Sequence, residues 1–192
     1  MSSIRRTLEL LVARLNSSFQ LSGARADDWV LLSNLSGHDG QMPEATKDKL
    51  VLSLAGIQHE TTISTHNPSQ RVGDGQFTNV SPPIYINLLL LFVANFQDKN
   101  YPNGLEMISR TIAFFQQNPW FSQETLPGLD PGVGKITLDL VNVDITQANY
   151  LIAMMGIKYL PMVLYRLRML PFRSEQISTL VPAVSGSRAG TG

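Results

Sequence analysis

The sequence predicts an α+β domain in which helices cover a mainly antiparallel or mixed β-sheet. Three segments carry apolar residues at helical spacing, and five others carry them in the alternation or continuous runs typical of strands. Along the chain the elements follow as α, β, β, β, α, β, α, β, which fits helices packed on one sheet. With 192 residues and 43% hydrophobic composition, one domain with a substantial core is expected. We place that domain at residues 1–182 and a disordered Gly/Ser-rich tail at residues 183–192.

The first predicted element is an amphipathic helix over residues 3–19. Its apolar side chains recur every three or four residues, and the charged ones lie largely elsewhere around the helix. Packing on the domain's own core is the ordinary interpretation, and a membrane or partner surface is the alternative. The N-terminal stripe consists of Ile4, Leu8, Leu11, Leu15 and Phe19.

Two strands are predicted after this helix. The segment WVLLSNL, residues 29–35, is short and ends in the turn-rich SGHDG. Residues 49–64 begin with alternating leucines and keep β-branched residues toward their end, so they predict a long strand with a bulge at Gly56.

The longest apolar run lies in SPPIYINLLLLFVANF, residues 81–96, and it raises the question of a membrane span. A transmembrane helix needs roughly 20 apolar residues, whereas only residues 88–94 are uninterrupted. Pro82, Pro83 and the aromatic and β-branched residues favour a strand buried on both faces, with a helix as the alternative. We expect it to pair antiparallel with the preceding strand across a long flexible loop, residues 65–83, of a length that is often functional.

A second helix and a third long strand are predicted next. Asn103 is a suitable N-cap with Glu106 three residues later, and the helix should end before Pro119. The segment KITLDLVNVDI, residues 135–145, then alternates as a strand. The side chains expected to face the core from this second helix are Leu105, Ile108, Ile112 and Phe115.

The last third of the chain predicts a helix and a strand. The helix should begin near Asp144 or Thr146 and stop at Gly156, the residue expected just past a helix end. Residues 159–172 form the strand, and residues 175–184 are one further short segment. Alternation along the strand places Val163, Tyr165, Leu167 and Met169 on one face and Leu164, Arg166, Arg168 and Leu170 on the other.

Composition restricts the classes of partner. The 15 basic and 15 acidic side chains cancel, so charge gives no reason to expect nucleic acid or anionic lipid as the main partner. The absence of cysteine excludes disulfides, thiolate metal ligands and cysteine nucleophiles. Glu9 interrupts the first apolar segment and Arg14 follows it, so no secretory signal is expected and cytoplasmic synthesis is the default.

No residue pattern predicts catalysis, cofactor binding or metal binding. His38, His59 and His66 are scattered without paired spacing, and no Gly-x-Ser-x-Gly segment occurs. GLDPGVGK has the wrong glycine spacing for a phosphate loop and precedes a strand instead of a helix. Arg166 and Arg168 could form a cationic stripe, although a solvated face or a salt bridge is the commoner role. No residue is therefore nominated as a nucleophile, a general base or an oxyanion hole, and the expectation that the protein is not an enzyme depends on the resemblance described next.

An ordered set of segments resembles a known family. NLSGHDG, KLVLSLAGI, SPPIYINLLLLFVANF, GLEMISRTIAFFQQNPWF, LDLVNVDI and GIKYLPMVLYRLRML are similar to the tail-terminator, or cap, proteins of phage-tail-like extracellular contractile injection systems of the antifeeding-prophage and virulence-cassette type. The resemblance covers roughly residues 4–172. It implies a fold similar to phage tail terminators and a structural protein without catalytic residues.

The resemblance also implies partners and a location. Such caps form a ring, expected to be hexameric, on the end of the inner tube and sheath, where they stop polymerisation and stabilise the extended sheath. The partners would be copies of the chain, the tube protein and the sheath protein, without nucleic acid or membrane insertion, in a particle assembled in the cytoplasm and released. The alternative is a ligand-binding or enzymatic α+β domain whose site the sequence does not reveal. Candidate assembly contacts are Arg71, Asp74, Phe77, Arg166, Arg168, Ile177, Leu180 and Val181.

Overall fold

The computed structural model describes residues 4–21, 28–37, 39–61, 70–71, 76–80, 84–172 and 177–182. In these ranges the protein is a mixed α/β domain with a six-stranded and a three-stranded sheet, which confirms the predicted fold class. The helices are α1 (Ile4–Leu21), α2 (Tyr101–Gln117) and α3 (Ile145–Met155). The strands are β1 (Val30–Leu32), β2 (Lys49–His59), β3 (Gln70–Arg71), β4 (Gln76–Val80), β5 (Ile84–Asn95), β6 (Trp120–Phe121), β7 (Ile136–Val141), β8 (Met162–Phe172) and β9 (Ile177–Pro182).

The six-stranded sheet has the order β1-β2-β5-β8-β7-β6. β1 runs parallel to β2, and the other neighbouring strands pair antiparallel. The predicted antiparallel pair is confirmed, since Lys49 of β2 lies opposite Asn95 of β5, and the register shift between Leu54 and Gly56 confirms the predicted bulge. Two strands are shorter than expected: β1 has three residues, and β2 ends at His59, with residues 62–64 outside the described residues.

Strand β5 lies in the middle of the sheet and is buried on both faces, as predicted. Leu90 and Phe92 point into the core cluster on one face, and Leu91 and Val93 point into the cluster on the other. A strand enclosed by two layers has no solvated side, so its sequence is an apolar run instead of an alternation.

Helices α1 and α2 cover one face of the sheet. Leu8, Leu11, Leu15 and Phe19 of the N-terminal stripe are buried in the core cluster there, and Ile4 packs against its edge. The ordinary interpretation of the stripe is therefore confirmed, and these side chains are not free for a membrane or partner surface. None of the helices in the described residues is long and apolar enough to span a membrane.

The orientation predicted for α2 is only partly confirmed: Phe115 is buried and Ile108 packs against the core, but Leu105 and Ile112 are exposed. Its N-cap is Asn100, not Asn103, because a 3-10 turn over Asp98–Asn100 leads directly into the helix. The chain approaches the sheet closely at Gly104, where a Cβ atom would lie 3.1 Å from Cβ of Phe96. The α2 side chains that are buried are Met107, Thr111, Phe114 and Phe115, whereas Leu105 and Ile112 are exposed.

Helix α3 covers the opposite face of the sheet. Its start and end are as predicted: the Asp144 side chain accepts a hydrogen bond from the Gln147 backbone N–H at 2.8 Å, and Gly156 ends the helix with φ of 67°. Leu151 and Met155 pack against the second core cluster. The buried members of that cluster are Leu35, Val51, Leu91, Val93 and Leu164.

A register shift changes the faces predicted for β8. Ile86 of β5 lies opposite Leu170, but Leu88 lies opposite Leu167, so β8 has one extra residue between these pairs. Leu167 and Leu170 consequently both enter the core cluster below α1 and α2. The prediction that Leu170 shares a face with Leu164 is therefore wrong.

A second sheet, with the order β3-β4-β9, occupies segments that looked irregular. β3 and β4 lie within residues 65–83, so the expected flexible loop is wrong for that part, and β9 lies within residues 175–184. β4 pairs antiparallel with β9, about a hundred residues later in the chain. The sequence also missed β6, and the predicted tail at residues 183–192 lies outside the described residues.

Burial of Tyr165 is expected to lower the free energy of unfolding of the domain at alkaline pH. Its ring lies 4.7 Å from that of Phe115, and burial raises the pKa of its phenol above 10.0. Burial disfavours the charged phenolate in the folded state. The contribution of the neutral Tyr165 phenol to stability is therefore complete below about pH 10 and is lost as the pH rises through the raised pKa. We expect Tyr165→Phe to lose less unfolding free energy than wild type above about pH 10, measured by urea denaturation. Exposed Tyr159→Phe is the control, and parallel profiles for wild type and Tyr165→Phe would contradict the prediction.

Candidate assembly surface

The second sheet brings several predicted contact residues into register. Arg71 of β3 lies opposite Phe77 of β4, and Phe77 lies opposite Val181 of β9. Leu180 and Ile177 follow along β9, opposite Thr78 and Val80 of β4. Asp74 lies outside the described residues. These residues stay predicted assembly contacts, now joined by strand pairing between distant segments.

Arg168 is held in an ion pair. Its Nη2 atom lies 2.9 Å from Oε2 of Glu60, and its Nη1 atom lies 3.9 Å from Asp139. The Glu60 side chain is 5% exposed and also accepts a hydrogen bond from Asn87 Nδ2 at 3.0 Å. Arg166 lies opposite Asp139 in the register, and its Nε is buried without an acceptor among the described residues. The salt-bridge interpretation therefore applies to Arg168, which compensates a buried carboxylate.

An exposed apolar surface that the sequence did not reveal lies on and beside α3. We call it the α3 surface. It is formed by Tyr150 (73% exposed), Met154 (61%) and Tyr159 (69%). Two other exposed apolar side chains lie outside it: Ile145 is about 180° around α3 from Met154, and Leu140 lies opposite Tyr165 on the face of the sheet that α1 and α2 cover. Exposed apolar patches of this kind mark interaction sites more often than isolated exposed side chains do.

The α3 surface surrounds an apolar depression between α3 and the sheet. One part, of about 320 Å³, lies between Tyr150, Met154 and the strands β7 and β8. The other, of about 260 Å³, extends towards Leu140 and Tyr159. Both parts share the lining residues Val141, Asn142, Val143, Leu151 and Leu164. The surface is therefore concave and lined mainly by hydrocarbon.

A second apolar surface lies on the flank of α2. Tyr101 (43% exposed), Leu105 (45%) and Ile112 (38%) lie in one row with the partly buried Ile108, and we call this row the α2 stripe. At 3.6 residues per turn it is rotated by about 100° from the buried side of the helix. Of the side chains predicted to face the core, Leu105 and Ile112 thus remain partly in solvent.

The described residues contain no group of three or more His, Asp or Glu side chains placed to hold a metal ion. His59 is exposed at the end of β2, and the other two histidines lie outside the described residues.

Comparison with known proteins identifies the family. The sequence matches the Pvc16 N-terminal domain over residues 7–186, which is nearly the whole chain. The chain belongs to the Pvc16 N-terminal domain family. Among curated proteins, none matches the sequence. Together with the two solved structures described next, the family match confirms the resemblance to caps of contractile injection systems that the ordered segments indicated.

Two solved structures have the fold of this Pvc16 N-terminal domain. The PVC sheath/tube terminator of an extracellular contractile injection system, in its extended state, matches with a TM-score of 0.58 and 14% identity over 100% of this chain. The tube-terminating cap of the anti-feeding prophage matches with a TM-score of 0.60 and 9% identity over 96% of this chain. The match covers 65% and 60% of those two chains. The fold of tube terminators is therefore shared across very different sequences.

Proposed function

We propose that this Pvc16-family domain caps a contractile injection particle. Copies of the chain form a ring of about six on the end of the inner tube and sheath, stop both from polymerising, and hold the sheath extended. The observation that carries this proposal is the family match over residues 7–186, with the terminator fold over the whole chain in support. The partners are further copies of the chain, the tube protein and the sheath protein.

The exposed surfaces of the domain support a structural role. A closed ring needs self-association, and a cap must in addition present a face that resembles the growing subunit and another that does not. The α3 surface and the α2 stripe provide apolar area for such contacts. The second sheet, with Arg71, Phe77, Ile177, Leu180 and Val181 on its strands, provides a separate set of contacts that we assign to the tube or the sheath. Arg166, Arg168 and Asp74 belong to the same proposal, as does assembly in the cytoplasm before release of the particle.

Particle length tests this function. We expect tube and sheath proteins coexpressed with this chain to give particles of uniform length with a ring at one end, and without it to give longer particles of variable length. Electron microscopy with length measurement is the readout. Deletion of residues 177–182 should broaden the lengths, whereas Arg5→Ala, at an exposed pair with Glu9, should not. Equal length distributions with and without the chain would refute the proposed function.

A further inference from the structure

We infer that the α3 surface of one protomer binds the α2 stripe of a second copy of the chain, head to tail. This inference deepens the proposed function and rests on its self-association. It names the two surfaces that meet and the direction of the contact.

The two surfaces lie on opposite sides of the six-stranded sheet. α2 packs on the core cluster that contains Leu90 and Phe92, and α3 packs on the cluster that contains Leu91 and Val93. They cannot meet within one protomer because the sheet separates them, but two copies can bring them together. Each such contact leaves one α3 surface and one α2 stripe unused, so further copies add in the same direction until a ring closes.

The exposed area suits a protein interface. An aromatic side chain has about 150–250 Å² to bury, so the two tyrosines of the α3 surface leave roughly 300 Å² in solvent. Met154 adds to this area, so the apolar part of the α3 surface reaches the few hundred Å² at which patches on monomers are often functional. The α2 stripe, whose three exposed side chains are 38–45% exposed, offers less, so one contact is smaller than the ~800 Å² per partner of a standard interface. In a closed ring each protomer makes two such contacts, and ring closure adds to the stability of each.

Charge is compatible with burial of both surfaces. The eleven residues of α3 contain no charged side chain. Beside the α2 stripe, Arg110 Nε lies 2.8 Å from Glu106 Oε1, so the two charges next to the stripe compensate each other. Docking α3 on the stripe consequently places no uncompensated charge from either helix in the interface, as the charge-poor centres of interfaces require.

The shapes of the two surfaces also match. The depression of about 320 Å³ beside Tyr150 and Met154 is concave and apolar. The α2 stripe is a convex helix flank from which Leu105 and Ile112 project into solvent. Leu105 and Ile112 are thus apolar side chains of a size to enter the depression, in the manner of a helix docked in a groove.

Single charge substitutions test the contact on the full chain. We expect Tyr150→Glu and Leu105→Glu each to weaken self-association by at least about tenfold, measured by light scattering over a concentration series. The matched control is Ile57→Glu, because Ile57 is 55% exposed on β2 and lies in neither surface. Circular dichroism establishes that the three variants fold as the wild type does.

A mixture of the two variants tests the direction of the contact. Tyr150→Glu keeps an intact α2 stripe and Leu105→Glu keeps an intact α3 surface, so we expect the mixture to form pairs and no larger assemblies.

If Leu105→Glu alone associates as the wild type does, the head-to-tail contact is refuted, and an α3-to-α3 contact or another partner occupies the surface. A monomeric wild type also refutes it. Folded variants that lose self-association support it. If both variants still form rings that limit particle length, the proposed function stands and this contact is wrong.

Discussion

Replacing Phe92 by alanine is expected to lower the free energy of unfolding by about 3–5 kcal/mol, the usual cost of deleting a buried aromatic side chain. Phe92 is fully buried in the central strand β5. Its ring lies 5.6 Å from that of Phe115 on α2 and 6.0 Å from that of Tyr165 on β8. The substitution therefore leaves a cavity where the sheet and α2 meet, and consumes much of a typical total stability of about 5–15 kcal/mol.

Urea denaturation measures this loss. We expect the midpoint to fall without a change in the slope, because the folded state keeps its compactness. Phe92→Leu should cost less than Phe92→Ala, since most of the volume is kept. Ile84→Ala, at an exposed position of the same strand, is the matched control and should change stability by about 0.5 kcal/mol or less. A loss at Phe92→Ala no larger than at Ile84→Ala would contradict the central place of β5.

Replacing Arg168 by methionine is expected to lower the unfolding free energy by about 2–3 kcal/mol. The substitution removes the cation 2.9 Å from the buried Glu60 carboxylate, and a buried charge that loses a nearby cation is destabilised. We place the loss below the usual range for a fully buried pair because the Arg168 side chain is 37% exposed, so water screens part of the interaction.

A double-mutant cycle separates this pair from its surroundings. Glu60→Gln combined with Arg168→Met should recover part of the stability lost by Arg168→Met alone, because the buried carboxylate that lost the Arg168 cation is then removed. Arg5→Met is the control: it breaks a surface ion pair with Glu9, and no measurable change in stability is expected. Additive effects at Glu60 and Arg168 would show that the two side chains do not stabilise each other. Arg168 is also a candidate assembly contact, so its variants need a folding check before any assembly measurement.

Much of the fold follows from local patterns. The N-terminal stripe, the bulge at Gly56, the caps of α3 at Asp144 and Gly156, and the doubly buried β5 were all predicted. Each depends on the period of apolar residues or on the backbone preferences of one or two residues, which the sequence states directly.

Three features could not be predicted locally. On α2 the row through Leu105 and Ile112 and the row through Met107 and Thr111 both lie along the helix, and only contact with the sheet selects the second row for the core. The second sheet depends on pairing between β4 and β9, which are far apart in sequence. The face of the sheet to which Leu170 of β8 points depends on a shift in its register with β5, which the sequence of β8 alone does not contain.

The sequence by itself determined the fold class, the family resemblance and the central strand, because apolar periodicity and caps act over a few residues. Only the tertiary structure decided which apolar side chains stay at the surface, because the exposure of a side chain depends on what packs beside it. The α3 surface and the α2 stripe are therefore invisible in the sequence, although α3 itself was predicted. Arg168 was named from the sequence as a possible cationic contact, and the structure adds the buried carboxylate of Glu60 beside it.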